Sequence, residues 1–301
     1  MCSFSIQSLR LSKEADFRLA VLGDPVDHSL SPSMQNAGLV SLHLPYRYGR
    51  LHVRPGDLVE AFDLLRKRDF IGWNLTLPHK LAALDLLDGL DPEAERLRSV
   101  NTVVNQSGRL FGFNTDGAGF VAAIKEAFDC DLRALRIAVL GAGGGAGQTV
   151  ARCLSELNVP LLIMVNRTVA KTERLGKDLA AQSKTKIQTG RWDHLAEVCR
   201  QVDLLVNASS VGLDREGIHE GWRTLEPRHL VFDMVYGPRE TALVRFAREK
   251  GARATDGLLM LLHQGVLAFE IWFGKPAPDA VMRAALWRAA GRSECLSGSS
   301  H

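Results

Sequence analysis

The stretch from Leu135 to Val150 constrains this chain more than any other. Residues 137–140 form a short apolar, partly β-branched run that reads as a buried strand. The run meets Gly141, Gly143, Gly144, Gly145 and Gly147, and a helical pattern follows with Val150, Leu154 and Leu157 on one face. Strand, glycine turn and helix in that order form the context in which such a turn holds a dinucleotide. The first glycine permits a tight turn, the second lets the backbone approach a pyrophosphate, and the third position must be small for helix–strand packing. Gly141, Gly143 and Ala146 stand at those places. The helix then offers unpaired N–H groups and the positive end of its dipole to the phosphates.

The next apolar run, residues 161–165, ends in Asn166, Arg167 and Thr168. A site for NAD places Asp or Glu at that strand end to hold the ribose 2′-hydroxyl. No acid stands there; Arg167 and nearby Lys171 do. A guanidinium suits a 2′-phosphate by paired hydrogen bonds, so the residues point to NADP rather than NAD. Further runs at 186–188, 203–209 and 230–236 alternate with helical patterns, which predicts a parallel, doubly wound sheet over residues 117–254. Asn207, Ser209, Met234 and Tyr236 fall at or just past strand ends, where ligands bind in such sheets.

A chain of 301 residues has room for a second domain. Its 46% hydrophobic and 24% charged residues imply a buried core and exclude disorder. A net charge of +3 with no basic stripe argues against a nucleic-acid partner. No apolar stretch is long enough to span a membrane, and no leader pattern opens the chain. Cys2, Cys130, Cys153, Cys199 and Cys295 are scattered without a C-x-x-C pair. They read as reduced thiols of a cytoplasmic protein, with no metal site. Only the closing Ser-Gly-Ser-Ser-His segment reads as a loose tail.

The first part of the chain is also α/β. Residues 18–22 read as a strand that ends at Gly23. Ser29 and Ser31 are expected to alternate in an extended piece ahead of Pro32, which suits the first turn of a helix. They could cap that helix or hold a carboxylate or hydroxyl of a small polar ligand; capping explains one serine but not both. His28 reads as a hydrogen-bonded structural histidine. A strand is expected at 46–53 and an amphipathic helix at 57–67, with Leu58, Phe62 and Leu65 on one face. A strand carrying Asn74 and Thr76 stops at Pro78, and Lys80 opens the next helix, where a cation opposes the helix dipole. Stability alone explains that lysine poorly, whereas an amine that exchanges a proton with a ligand explains it better. The helix is expected to continue to residue 97 with a break at 89–92, followed by a strand at 99–104, a hairpin turn at 106–109 and a partner strand at 110–113. Asp116 could cap a helix beginning near Gly119 or supply a carboxylate to Lys80. Residues 256–272 read as one strongly apolar helix whose polar exceptions are His263, Gln264 and Glu270.

Taken together these residues resemble the shikimate dehydrogenase family. The resemblance covers Gly23 to about Pro276 and is carried by Gly23-x-Pro-x-x-His-Ser-x-Ser-Pro32, Asn74-x-Thr-x-Pro-x-Lys80, Val100-Asn-Thr102, Asn114-Thr-Asp-x-x-Gly119, Gly141-Ala-Gly-Gly144, Asn166-Arg-Thr168, Asp233-x-x-Tyr236 and Asp256-Gly-x-x-Met260 with Gln264. It implies reversible NADPH-dependent reduction of 3-dehydroshikimate to shikimate, a step in aromatic amino-acid biosynthesis. The implied fold has a substrate-binding, catalytic α/β domain over residues 1–116, completed by helices at 255–290, and a Rossmann-type NADP domain over 117–254. By position, Lys80 and Asp116 form the catalytic pair. Ser29 and Ser31 hold the substrate carboxylate, while Asn74, Thr76, Asn101, Tyr236 and Gln264 contact ring hydroxyls. Gly141, Ala142, Gly143, Gly144, Gly145 and Ala146 cradle the pyrophosphate. Asn166, Arg167, Thr168 and Lys171 surround the 2′-phosphate, with Met234 and Gly257 near the nicotinamide. The implied partner is a small-molecule substrate, with no nucleic acid and no membrane, and the enzyme is a monomer or homodimer.

Some positions depart from the family pattern. Gln35 stands where His is common, Gly38 where a bulky aromatic is frequent, and Ser209-Ser210 replaces a Thr-rich strand end. The competing readings are a quinate/shikimate dehydrogenase with broader cofactor use, a non-catalytic shikimate-binding module, and a related dehydrogenase such as one acting on folates. The Ser-x-Ser-Pro segment argues against the last, and Arg167 and the serine pair lean against the first.

Overall fold

The computed structural model describes residues 3–11, 16–209, 211 and 219–293. Ser210, Cys2, Cys295 and the closing Ser-Gly-Ser-Ser-His segment lie outside the described residues. The chain divides into two units, Met1–Thr115 with Gln264–His301, and Asp116–His263. The chain returns to the first unit at Gln264, inside a helix.

In the first unit, seven strands are found among the described residues. They are β1 (Ser3–Ser5), β2 (Phe17–Gly23), β3 (Arg47–His52), β4 (Gly72–Leu75), β5 (Gly89–Leu90), β6 (Thr102–Gln106) and β7 (Arg109–Phe113), in the order β1-β3-β2-β4-β6-β7-β5. β1, β3, β2 and β4 run parallel, and β6 is antiparallel to both β4 and β7. β4 and β7 therefore point the same way, and their C-terminal ends share one edge of the sheet with those of β2 and β3. The helices here are α1 (Ile6–Leu11), α2 (Ser31–Ser41), α3 (Leu58–Lys67), α4 (His79–Ala82) and α5 (Pro92–Leu97). The expected face of α3 is buried, with Leu58, Phe62 and Leu65 inside and the Phe62 ring edge-on to Trp73 at 5.1 Å.

The second unit holds β8 (Arg136–Leu140), β9 (Leu161–Val165), β10 (Lys186–Gly190), β11 (Leu204–Asn207), β12 (Leu230–Asp233) and β13 (Arg253–Asp256), all parallel, in the order β10-β9-β8-β11-β12-β13. Its helices are α6 (Asp116–Phe128), α7 (Gly145–Glu156), α8 (Val169–Ala180), α9 (Leu195–Gln201) and α10 (Ala242–Glu249). Strand residues alternate between two cores: Ile137 and Val139 pack with Phe120 and Phe232, whereas Ala138 and Leu140 pack with Leu243 and Trp222. Burial on both faces is why these strands read as continuous apolar runs. Strand order reverses between β8 and β11, and ligands of such sheets bind beyond the strand ends at that point.

The chain closes with α11 (Leu258–Phe273) and α12 (Asp279–Ala289). In the first unit, Trp272 Nε1 donates to the Val103 carbonyl at 3.0 Å. A side chain on Gly72 would collide with both groups, at 2.2 and 2.3 Å. Gly38 faces Phe269 and Met282, at 3.0 and 3.1 Å from where its Cβ would stand, so these two side chains fill the space that a bulky aromatic would need.

Several element boundaries differ from the sequence expectation. The break at 89–92 contains β5, a two-residue strand created by pairing with β7. β6 begins at Thr102, not at residue 99. Asp116 is the first residue of α6 rather than a cap ahead of Gly119. Asp256 ends β13, paired in register with Asp233, so α11 starts only at Leu258. These are tertiary pairings, which local patterns do not report.

Candidate functional site

In the first unit the expected polar residues gather at the shared sheet edge. Asn74, Thr102 and Phe113 stand in one register row across β4, β6 and β7. The Asn74 Nδ2 donates to the Asn101 carbonyl at 3.1 Å and to Thr102 Oγ1 at 3.0 Å. Its Oδ1 accepts from the Tyr48 hydroxyl at 2.7 Å. Asn74 is thus committed to the protein frame, and its amide has no donor left for a ligand. Asn101 Nδ2 donates to Thr115 Oγ1 at 2.8 Å and, more weakly, to Gln264 Oε1 at 3.4 Å. Its Oδ1 accepts from Thr115 N at 2.9 Å and Thr102 Oγ1 at 3.0 Å. The structure therefore links Asn74, Asn101 and Gln264 in one web. Tyr48, Thr102 and Thr115 complete it, and their roles are not marked in the sequence, although Thr102 and Thr115 lie within the quoted motifs.

Thr76 and Lys80 follow β4. The Thr76 amide donates to the Leu22 carbonyl at 2.9 Å, and its methyl lies against Gly23, where a Cβ would come within 2.4 Å. Gly23 is needed for this close approach. Lys80 sits on α4, half-buried, with its carbonyl accepting from Val100 N at 3.0 Å. Its neighbour His79 is fully buried and donates from Nε2 to the Val53 carbonyl at 2.8 Å. Burial lowers the His79 pKa, opposed by that hydrogen bond and by the charge of Asp24. A neutral, clamped His79 fixes the turn that carries Lys80. Asp116, 4% exposed, follows Thr115 just past β7. Within the first unit, Lys80 follows β4 and Thr115 follows β7, two strands that end at the same sheet edge.

The serine segment differs from expectation. Leu30 is already helical (φ −90°, ψ −6°), and α2 begins at Ser31 with Pro32 in its first turn. The two serines do not alternate in an extended piece, because the fixed φ of Pro32 starts the helix early. Ser29 Oγ accepts from Ser31 N at 3.4 Å, a long contact at the helix start. His28 is exposed on the preceding turn rather than locked in a structural hydrogen bond. Gln35, one turn along α2, is buried and donates from Nε2 to the Gly265 carbonyl at 2.9 Å.

In the second unit Gly141 adopts φ +78°, a conformation that favours glycine, and Gly141 N and Ala142 N donate to the Val165 carbonyl at 2.8 and 3.2 Å. Gly143 packs on the Asn166 amide, where a Cβ would come within 2.5 Å. The third close approach falls at Gly147 rather than Ala146: a Cβ there would lie 2.3 Å from the Gly141 carbonyl, while Ala146 is half-buried. Gly144 is exposed and a Cβ on Gly145 would meet nothing within 4 Å, so the turn is open beside the first amides of α7. Those amides have no intrahelical partner. An open turn with free donors fits a pyrophosphate. Past β9, Arg167, Thr168 and Lys171 are exposed, and Asn166 Nδ2 donates to the Thr168 carbonyl at 3.0 Å. Cations without an acid at this strand end fit a 2′-phosphate.

At the ends of β12 and β13, Met234 and Gly257 adjoin: a Cβ on Gly257 would lie 2.2 Å from the Met234 carbonyl. Tyr236 is half-buried nearby in sequence. Asp233 is fully buried, its Oδ1 accepting from Asn207 Nδ2 at 2.9 Å and Val235 N at 3.2 Å. Burial, with a smaller push from the Asp256 charge, raises its pKa to about 6. Among the described residues no His, Cys, Asp and Glu cluster could hold a metal, and no helix is long and apolar enough to cross a membrane.

Comparison with known proteins gives these units a family. Residues 21–103 match the shikimate dehydrogenase substrate binding domain, 122–240 the shikimate/quinate 5-dehydrogenase family and 257–286 the shikimate 5′-dehydrogenase C-terminal domain. The chain is 40% identical over 272 residues to the shikimate dehydrogenase (NADP(+)) of Desulfitobacterium hafniense, covering 90% of this chain and 97% of that one. The chain belongs to the shikimate dehydrogenase family. The Thermus thermophilus shikimate 5-dehydrogenase, solved in complex with NADP(H) and shikimate, matches with TM-score 0.80 and 38% identity over 91% of this chain and 99% of that one. A quinate dehydrogenase from Corynebacterium glutamicum, solved with NAD, matches with TM-score 0.81 and 29% identity over 91% and 99%. The α/β architecture, with a mixed first sheet and a parallel second one, is that of the shikimate dehydrogenases.

Proposed function

We propose that Lys80 and Asp116 handle the proton in the reversible reduction of 3-dehydroshikimate to shikimate with NADPH. The chain is an NADP-dependent oxidoreductase of the shikimate pathway, and it acts on a small molecule. The observation that carries this reading is the 40% identity to a shikimate dehydrogenase (NADP(+)) across nearly the whole chain, both units included. The same reading makes residues 1–116, completed by the closing helices, the substrate-binding domain and residues 117–254 the NADP domain. It also puts the enzyme in the cytoplasm, where scattered reduced thiols are at home.

The chemistry assigns work to each group. Bound NADP supplies the hydride acceptor when shikimate is oxidised. As hydride leaves the carbinol carbon, the hydroxyl must lose its proton. Lys80, as a neutral amine, accepts that proton, and as an ammonium it returns it to the forming alkoxide in the reverse direction. Asp116 orients Lys80 and accepts a hydrogen bond from the substrate. Ser29 and Ser31 hold the substrate carboxylate. Thr76, Gln264 and Tyr236 fix the ring hydroxyls, Asn101 joins them by giving up its long 3.4 Å bond to Gln264, and Asn74 holds Asn101 and Thr102 in place. Gly141 to Ala146, with Gly147 closing the turn, hold the pyrophosphate. Asn166, Arg167, Thr168 and Lys171 hold the 2′-phosphate, and Met234 and Gly257 form the ledge for the nicotinamide.

Reduction of NADP by shikimate, followed at the reduced-nicotinamide absorbance band, tests the proton assignment. Lys80→Ala is expected to cut turnover by roughly 10²–10⁴-fold with little change in the shikimate KM. Near-normal turnover in that variant would remove Lys80 from the mechanism.

A further inference from the structure

The serine segment is fastened by a buried cation that the reaction chemistry leaves unassigned. Arg50 lies on β3 and is only 9% exposed. Its Nε and one terminal nitrogen both donate to the Ser29 carbonyl, at 3.1 and 2.5 Å. A guanidinium is planar and rigid, so two bonds to one oxygen fix the direction as well as the distance of that carbonyl. The Ser29 hydroxyl accepts from Ser31 N, which leaves its own proton available to donate. Ser31 is 6% exposed and opens the eleven-residue helix α2, whose amino end favours negative charge. The elements of an anion subsite are thus two hydroxyls and a helix start, with Arg50 holding the backbone of the first serine.

We propose that Arg50 is the positioning residue of the carboxylate subsite: it holds Ser29 so that the two serine hydroxyls converge on one carboxylate, and its charge favours an anion over a neutral group there. The proposal rests on the reading that Ser29 and Ser31 bind the substrate carboxylate. Arg50 does not touch the reacting carbon. Its loss weakens binding of the acid and leaves the chemical step intact. A structural role alone would weaken binding of charged and neutral substrates alike.

The test is steady-state kinetics of Arg50→Met and Arg50→Lys with NADP and either shikimate or its neutral methyl ester. Melting temperature and NADP binding serve as controls for folding. The shikimate KM of Arg50→Met is expected to rise about tenfold, the loss of one favourable charged contact, with kcat nearly unchanged. The ester KM should rise by a clearly smaller factor, since the ester loses the serine positioning but no charge interaction, and Arg50→Lys should recover part of the shikimate affinity. If Arg50→Met does not fold, Arg50→Gln replaces it, because it keeps a donor and loses the charge. An unchanged shikimate KM, or an equal rise for acid and ester, overturns the proposal. A Ser29→Ala/Ser31→Ala double variant with normal shikimate KM would overturn the serine reading itself, whatever Arg50 does.

Discussion

The Tyr48 hydroxyl donates to Asn74 Oδ1 at 2.7 Å, and both residues are buried. With the Asn74 amide nitrogen given to Asn101 and Thr102, this bond turns a residue expected on ring hydroxyls into part of the frame beneath them. Asn74→Ala would strand the Tyr48 hydroxyl in a dry interior, whereas the Asn101 carbonyl keeps Leu75 N at 2.8 Å and Thr102 Oγ1 keeps Asn101 Oδ1 at 3.0 Å. Each unsatisfied buried group costs about 1–3 kcal/mol. The variant is expected to unfold at clearly lower urea concentration, while the folded fraction keeps a near-normal shikimate KM. Thr76→Val should do the reverse, raising KM without loss of stability. An Asn74→Ala protein as stable as wild type but poor in shikimate binding would return Asn74 to the binding set.

On the proposed function, cofactor choice rests on an exposed guanidinium. Arg167 lies just past β9, and no acid stands beside it to receive a ribose 2′-hydroxyl. A hydrogen bond to a charged group contributes about 1.5–3 kcal/mol, or roughly 10–100-fold in binding. Arg167→Ala should raise the NADP KM by that factor and leave the NAD KM almost unchanged. A parallel loss with both cofactors would mean that Arg167 supports the loop rather than reading the phosphate.

The nucleotide turn was legible in the sequence because its constraint is local. Gly141 must take φ +78°, and the strand and helix on either side announce themselves by periodicity. The third close approach was off by one residue, at Gly147, because it depends on where α7 meets the Gly141 carbonyl. Pro32 marked the start of a helix but not that Ser31 already belongs to it. The fate of the Asn74 amide was not legible, because its oxygen accepts from Tyr48 on another strand and its nitrogen donates to Asn101 and Thr102. β5 and the strand end at Asp256 exist through pairing with β7 and β12. Arg50 gave no signal, since buried residues run continuously from Tyr48 to Leu51 and erase the alternation that would set one arginine apart.

Asp233 makes stability depend on pH in a defined direction. Its carboxyl titrates near 6 in the fold against a usual value of 3.8, because burial penalises the anion. Between those values the native state holds a proton that the unfolded chain has released, so this group's contribution falls as pH rises and levels off above about 6. A shift of about two units corresponds to about 3 kcal/mol. Asp233→Asn removes the effect while its side-chain oxygen still accepts from Asn207. Relative to wild type, the variant should therefore gain stability between pH 4 and about pH 7 in urea unfolding. A difference independent of pH, or one that shrinks as pH rises, would contradict the assignment.

The most direct measurement pairs shikimate or quinate with NADP or NAD and follows the reduced-nicotinamide band with the purified wild-type protein. The account predicts strong turnover with shikimate and NADP, and kcat/KM values lower by about tenfold or more when NAD replaces NADP, the cost of a single charged contact. Equal turnover with quinate, or with NAD, would contradict it and make the chain a quinate/shikimate dehydrogenase of broader cofactor use. Silence in all four mixtures would contradict the assignment of Lys80 and Asp116 as a working catalytic pair.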